Sequence, residues 1–441
     1  MKHILLLGAG RSATVLIDYL LRLSSSGNYS VTIADQVVTY IEPKIKSFPA
    51  ISAISFDIHN QAQRESEVAK ADLVISMLPA FMHIHVAKEC LAQGKHLITA
   101  SYVSKEIQEL HQQAKDKGLT FLMECGLDPG IDHMSAMKVI DELKEQGAKL
   151  TSFKSYTGGL IAPESDTNLW HYKITWNPRN VVLAGQGTAR YIEEGKNKYI
   201  PYHQLFSRTD TIEVGDVGLF EGYANRDSLS YRQIYGLEEI PTLLRGTLRR
   251  PGYCSAWNLV VQLGLTDDSY RIENAEDLTY LEFTESFLPA GKGSVEKRLA
   301  EYMECKPRGN KMQRLKELGL FCEEKIGLQN PTPAQVIEKL MLENLKLEEG
   351  DRDMIVMQHL FGFELNEKQH LLTSSMVVTG DDPVRTAMAK TVGLPVGIAA
   401  KLLLEGKIAQ TGVVIPISPE IYSPILAELK EHGLTFVEQN S

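Results

Sequence analysis

Basic residues are the scarcer charge in this chain of 441 residues: 46 lysines and arginines stand against 56 aspartates and glutamates, a formal net charge of −10. A nucleic-acid binder needs a basic face, so the balance argues against one. Cysteine is sparse as well. The five (Cys90, Cys125, Cys254, Cys305, Cys322) are scattered, without paired metal spacing, which fits a reducing compartment better than a disulfide scaffold. No apolar run approaches membrane-spanning length, and the first one turns straight into glycines rather than a cleavage site. The expectation is a cytoplasmic protein with no membrane association. A nucleophile elbow, a phosphate-binding lysine loop and a zinc spacing are all missing. No metal is therefore expected, and by elimination the chemistry would belong to a bound organic cofactor.

What is present begins at the N-terminus. His3-Ile-Leu-Leu-Leu-Gly8-Ala-Gly10-Arg11-Ser12-Ala13 is an apolar run of strand length meeting a glycine turn, followed at once by a helix-compatible run, Thr14 to Arg22. Gly8 permits the tight turn, Gly10 lets a pyrophosphate approach the backbone, and Ala13 lets helix and strand pack closely. The free N–H groups of that helix start favour an anion. A second strand ends in Asp35, about 20 residues beyond the glycines, where a ribose 2′-hydroxyl is expected. A carboxylate there repels a 2′-phosphate, so the pattern favours NAD over NADP. The glycine turn and Asp35 together predict a dinucleotide site.

The chain exceeds what one core supports, so two or three domains are expected. Strand and helix signals alternate over the first ~130 residues, as in a parallel sheet covered on both faces. Strands are predicted near 3–7, 31–35, 51–56, 72–77, 96–100 and 120–124, with helices at Val86 to Gln93 and Lys105 to Lys117. From Leu150 the pattern alternates with one wet face up to Tyr156, followed by Gly158-Gly159. Met354 to Glu364 and His370 to Thr379 read as a hairpin. Between these sheet-like parts the segment 254–350 is charged and helical, with Ser294 to Glu304, Lys311 to Leu318 and Pro333 to Leu345 as its clearest helices. Val384 to Glu405 is another helix, and an apolar run, Val413 to Ile417, follows it.

In a doubly wound sheet ligands lie beyond the carboxyl ends of the strands. That rule selects Met77-Leu78-Pro79, Ser101-Tyr102 and Gly126-Leu127-Asp128-Pro129-Gly130. Asp128 could brace its turn, hold a substrate ammonium or move a proton. Arg226 and Arg249 are candidates for carboxylate binding, because a guanidinium fork matches a carboxylate in a way lysine cannot copy. His83 and His85 are two apart and would not share a helical face, so they do not read as metal ligands. His133, beside Asp132, reads as structural or capping, and Lys173 as a solvated lysine rather than a buried base.

These residues carry a resemblance. Gly8-Ala-Gly-Arg-Ser, Ile75-Ser-Met-Leu-Pro79, Ala100-Ser-Tyr-Val-Ser104, Glu124-Cys-Gly-Leu-Asp-Pro-Gly-Ile-Asp-His133, Ser155-Tyr-Thr-Gly-Gly-Leu160 and Tyr172-Lys-Ile-Thr-Trp176 run in order. They continue with Glu221-Gly-Tyr-Ala-Asn-Arg-Asp-Ser228, Gly246-Thr-Leu-Arg249 and Thr386-Ala-Met-Ala-Lys-Thr-Val-Gly-Leu-Pro395. The sequence resembles the saccharopine dehydrogenases, in particular their L-glutamate-forming branch. The resemblance implies an α/β protein: a Rossmann domain over 1–130 with 384–412 packing back on it, and a second α/β domain with a mixed sheet from 131–253, 351–383 and 413–441. A helical insertion, 254–350, is expected to close over the cleft. It implies a homodimer that interconverts saccharopine, NAD(P)⁺ and water with L-glutamate, 2-aminoadipate 6-semialdehyde and NAD(P)H in lysine metabolism. Saccharopine would be bound by Ser101, Tyr102, Asp128, Arg226, Thr247, Leu248 and Arg249. The dinucleotide would meet Gly8, Gly10, Arg11, Ser12, Ala13, Asp35, Met77, Leu78, Pro79, Gly126, Leu127 and Trp176. The catalytic base is left between Asp128, Tyr102 and a relayed water. Fungal members carry a basic residue near the end of the second strand where this chain has Asp35, so NAD is expected and NADP is the alternative. The rival readings are a carboxynorspermidine-type imine reductase of the same superfamily and an inactive dinucleotide-binding protein.

Overall fold

The computed structural model describes residues 1–440 and divides the chain into two compact units, 1–148 with 384–436, and 149–383 with the C-terminal strand. The first unit is built on six strands that the apolar runs supply: β1 (Lys2–Leu7), β2 (Tyr29–Asp35), β3 (Ile51–Ser55), β4 (Leu73–Ser76), β5 (His96–Thr99) and β6 (Thr120–Leu122). All pair in parallel in the order β6-β5-β4-β1-β2-β3, and Gly412–Val414 adds a seventh parallel strand beside β6. The order reverses between β1 and β4, which opens a ligand crevice at their carboxyl ends. Ile4 to Leu7 and Leu73 to Ser76 are fully buried, as continuous apolar runs between two helical layers must be.

Three sequence expectations change here. The helix expected over 105–117 breaks into Lys105–Gln108 and His111–Asp116, although Ser104 does cap its start by accepting from Ile107 N at 3.3 Å. Residues 413–436, expected with the second domain, fall in the first unit, as does the helix Ile131–Glu145. The strand 412–414 finds its hydrogen bonds on β6, and the helix Pro419–Glu431 anchors Tyr422 on Asp141 at 2.7 Å. The helix Ala387–Leu404 is long and apolar enough by composition to cross a membrane, contrary to the reading of the runs. It is buried instead in the core of its unit, beside the helix Thr14–Ser24, where Thr14 donates to the Val384 carbonyl and Arg385 pairs with Asp18.

The second unit has a nine-stranded mixed sheet. Along it run Asp210–Val214, Gly218–Ala224, Thr242–Arg249, Lys149–Ile161, Asp353–Leu365, Lys368–Thr379 and Val437–Asn440. Among the described residues only the pair Thr242–Arg249 with Lys149–Ile161 is parallel in this sheet. The central strand runs through Gly158 and Gly159 instead of stopping before them. A Cβ at Gly158 would lie 2.8 Å from the Leu248 carbonyl oxygen, so the neighbouring strand passes where only glycine fits. The helices Tyr253–Gln262, Tyr280–Ser286, Val295–Tyr302, Asn310–Glu317 and Pro333–Asn344 cover the sheet. Their Trp257, Phe283, Leu299, Leu315 and Ile337 share one hydrophobic core with Tyr156, Phe220, Leu248 and Val356 of the strands. The helical segment is therefore a layer of this unit rather than a separately cored body. Thr332 and Gln335 form a capping box around Pro333, which starts its helix as expected.

Candidate active site

Gly8 ends β1 with φ +92°, a conformation that favours glycine, and a Cβ there would sit 3.0 Å from the Met77 carbonyl. The turn thus presses against the end of β4, whose Met77 N donates to the Leu7 carbonyl. A Cβ at Gly10 would meet nothing within 4 Å. The helical turn Arg11–Ala13 and the helix that follows start without a side-chain cap. Open space at Gly10 above uncapped amides fits a pyrophosphate. Arg11 is exposed, Ser12 is half-buried and Ala13 packs inward. Met77 and Leu78 are half-buried and Pro79 is exposed at the same rim.

Asp35 has a second task that sequence reasoning did not reveal. Its carboxylate accepts from Ala9 N at 2.7 Å and from Val37 N at 3.1 Å, while Tyr40 donates to the Ala9 carbonyl at 2.7 Å. The carboxylate at the expected ribose position therefore also braces the glycine turn.

The ends of β5 and β6 carry the next group. Tyr102 donates to Asp128 Oδ1 at 2.9 Å, uniting two residues that are 26 apart in the chain. Both segments hang on Glu124, which is 5% exposed and adopts φ +56°. Glu124 Oε1 accepts from Val103 N at 3.0 Å, its own N donates to the Ser101 carbonyl, and its Oε2 lies 2.9 Å from His133 Nε2. Asp132, 3.6 Å from the other His133 nitrogen, accepts from Gly130 N at 2.6 Å. His133 is thus structural, as expected, but through a buried polar string rather than a helix cap. Gly126 and Leu127 are buried; a Cβ at Gly126 would come 2.9 Å from that of Ala100, so the loop lies tightly against the end of β5. Their expected part at the dinucleotide would be played by backbone.

The second unit carries Thr247, Leu248 and Arg249 on the strand Thr242–Arg249. Arg249 is 5% exposed, and its guanidinium lies 5.2 Å from the rings of Tyr172 and Tyr253 and 6.0 Å from that of Tyr223. Burial raises all three phenols, so they stay neutral. Nη1 donates to the Leu248 carbonyl at 3.0 Å, Nε is buried without a hydrogen-bond partner, and among the described residues no carboxylate pairs with the group. A buried charge in that condition is costly unless a ligand completes it. Thr247 stands beside Tyr223 in the strand register. Leu248 is fully buried in the core, so only its backbone can face a ligand. Arg226 is exposed, at φ +33°, on the loop after the strand Gly218–Ala224, beyond the Ala224–Gly246 pair, whereas Arg249 pairs with Glu221 toward the other end of that register, so the sheet does not set the two arginines side by side. Trp176 packs at the margin of the second unit's core.

Lys173 differs from its expectation. It is 5% exposed and its Nζ lies 2.6 Å from Asp351 Oδ2, a carboxylate 178 residues away, and that pairing makes its burial tolerable. Tyr172 and Tyr223 lie in stretches that carry the family resemblance, but nothing in the sequence placed them, or Tyr253, around Arg249.

Residues 4–122 match the family model described as the saccharopine dehydrogenase NADP binding domain, and residues 126–434 match the saccharopine dehydrogenase C-terminal domain. The chain belongs to the saccharopine dehydrogenase family. Among its relatives, saccharopine dehydrogenase [NADP(+), L-glutamate-forming] of Saccharomyces cerevisiae is 34% identical over 99% of both chains. The mitochondrial alpha-aminoadipic semialdehyde synthase of Bos taurus is 38% identical over 100% of this chain and 48% of its own length. The chain thus spans about half the length of its mammalian relatives. A solved structure of apo saccharopine dehydrogenase (L-Glu forming) from Saccharomyces cerevisiae superposes with a TM-score of 0.89 at 32% identity, covering all of both chains. The glycine turn and its uncapped helix lie within the stretch matched by the NADP binding domain model, and the open cradle at Gly8 and Gly10 fits a dinucleotide.

Proposed function

We propose that this protein oxidises saccharopine, with NAD⁺ as the acceptor, to L-glutamate and 2-aminoadipate 6-semialdehyde, and runs the reverse condensation when the reduced cofactor is supplied. The observation that carries the reading is Arg249: a buried guanidinium in an aromatic cage, with an unsatisfied Nε and, among the described residues, no acidic partner of its own. It suits a carboxylate, and saccharopine has three, a demand that Arg226 would share. The bound dinucleotide supplies the hydride acceptor; the protein's own residues do the rest. Asp128, oriented by the Tyr102 hydroxyl, takes the proton of the secondary amine as the hydride leaves the adjacent carbon, and the resulting imine is then split by water. Held distances of about 3–3.5 Å between reacting carbons dominate the rate, so orientation is the chief contribution of the site. Ser101 in the first unit and Thr247 in the second each carry a hydroxyl that suits a polar group of such a substrate.

NAD⁺ rather than NADP⁺ is favoured by the Asp35 carboxylate and by the absence of lysine and arginine from 36–40. The family model matched by residues 4–122 and the fungal relatives are both named for NADP, which leans against this reading. The test is a spectrophotometric assay of nicotinamide reduction with saccharopine, beside a panel of other secondary-amine and primary amino acids, each with NAD⁺ and NADP⁺. Turnover confined to saccharopine is expected; turnover of another amine with saccharopine inert would overturn the proposal.

A further inference from the structure

The first unit holds a buried histidine that the reaction above leaves unused. His83 begins the helix His83–Gln93 and is 1% exposed. Its ring bridges hydroxyls at two strand ends. Nδ1 lies 2.8 Å from Ser76 Oγ at the end of β4, and Nε2 lies 2.8 Å from Ser101 Oγ and 3.2 Å from Thr99 Oγ1 at the end of β5. Ser76 and Thr99 are fully buried, whereas Ser101 is only partly so. Burial lowers His83 to about 4, so the ring is neutral at neutral pH. A neutral imidazole donates at one nitrogen and accepts at the other, whereas a serine hydroxyl rotates to suit any partner.

A histidine with a purely structural task would satisfy its nitrogens with buried groups. Ser76 and Thr99 would be enough for that. The shorter Nε2 contact runs instead to Ser101, the member of the string that reaches solvent. We propose that His83 is a positioning residue for the reaction: it selects the rotor state of the Ser101 hydroxyl and so fixes which face, donor or lone pair, Ser101 presents to saccharopine. His83 does not touch the substrate. The inference rests on the reading of Ser101 as a saccharopine ligand.

The test is a double-mutant cycle in the full chain. His83→Asn keeps an amide at the level of Nδ1, facing Ser76, and cannot reach Ser101. His83→Gln carries its amide to the level of Nε2. His83→Asn and His83→Ala should lower kcat/KM for saccharopine by about three- to tenfold, the worth of one hydrogen bond. Dinucleotide affinity should stay unchanged, and His83→Gln should recover most of the loss. In a Ser101→Ala background none of the three should have a further effect. Equal losses in Asn and Gln, or losses that multiply with that of Ser101→Ala, would overturn the proposal. A measurement without substrate guards against variants that fail to fold: imidazole nitrogen NMR of the wild-type and Ser101→Ala proteins. The Nε2 resonance of His83 should move on Ser101→Ala while Nδ1 holds; an unmoved Nε2 overturns the contact. Inert saccharopine with wild-type enzyme would sink the substrate reading alone, since the nitrogen spectra still decide the His83 contact.

Discussion

Arg249→Met separates a binding residue from a structural one. In the absence of ligand, Arg249 is a buried cation whose compensation is one bond to the Leu248 carbonyl and three tyrosine faces at 5.2–6.0 Å. Desolvation of such a charge costs several kcal/mol. A hydrogen bond from a charged group returns about 1.5–3 kcal/mol and each cation–π contact about 0.5–2 kcal/mol. The two sides are of similar size, so methionine, which keeps the length and adds no cavity, should leave the ligand-free Tm within about 3 °C of wild type or raise it. Catalysis should respond differently. A substrate carboxylate that loses its buried guanidinium partner forfeits about 2–5 kcal/mol, so kcat/KM for saccharopine should fall by about 30-fold or more. Protection against thermal unfolding by saccharopine should vanish with it, while dinucleotide affinity holds. Arg249→Lys should recover only part of the loss, because an ammonium lacks the fork. The assays are steady-state kinetics with saccharopine varied at saturating NAD⁺, and melting curves with and without substrate. A ligand-free Tm that drops steeply with kcat/KM intact would refute the reasoning and make Arg249 a structural cation.

Asp35→Asn keeps acceptor oxygen for Ala9 N but removes the charge; the ratio of kcat/KM for NAD⁺ over NADP⁺ should fall toward one, and a wild-type ratio already below one would remove the role given to Asp35. Lys173→Met strands Asp351 as a buried charge and should cost about 3–5 kcal/mol of stability by denaturant unfolding while leaving the pH profile of kcat unchanged; a changed profile with normal stability would return Lys173 to the list of proton acceptors. For pH, the folded protein holds His83 at about 4 by burial alone, below the ordinary 6.5. Its cation is favoured in the unfolded chain, so that share of stability is complete above pH 6.5 and is lost as pH falls toward 4, about 3 kcal/mol in all. His3 and His96, also lowered chiefly by burial, act in the same direction. His83→Gln should flatten the slope of stability against pH in that window, and an unchanged slope would refute the burial argument.

The doubly wound sheet was legible because strands buried on both faces must be continuous apolar runs, and because the glycine turn and Asp35 occur at fixed offsets along the chain. Helix starts such as Ser104 and Pro333 were readable for equally local reasons: a cap and its amide are three residues apart, and proline suits a first helical turn. The strand-end rule selected Ser101, Tyr102 and Asp128 from position alone. Contacts between distant residues were not legible. Nothing in the chain says that the run after Gly412 pairs with β6, that Gly158 lets Leu248 pass, or that the helical segment shares its core with the mixed sheet. Lys173 looked like a solvated lysine because its partner, Asp351, lies 178 residues away. His83 looked like an ordinary helix residue because its three hydroxyl partners come from the ends of β4 and β5. Local hydrogen bonds and alternation are written in sequence spacing. The burial of Arg249 among three tyrosines depends on which strand and helix meet, and only the packed core decides that.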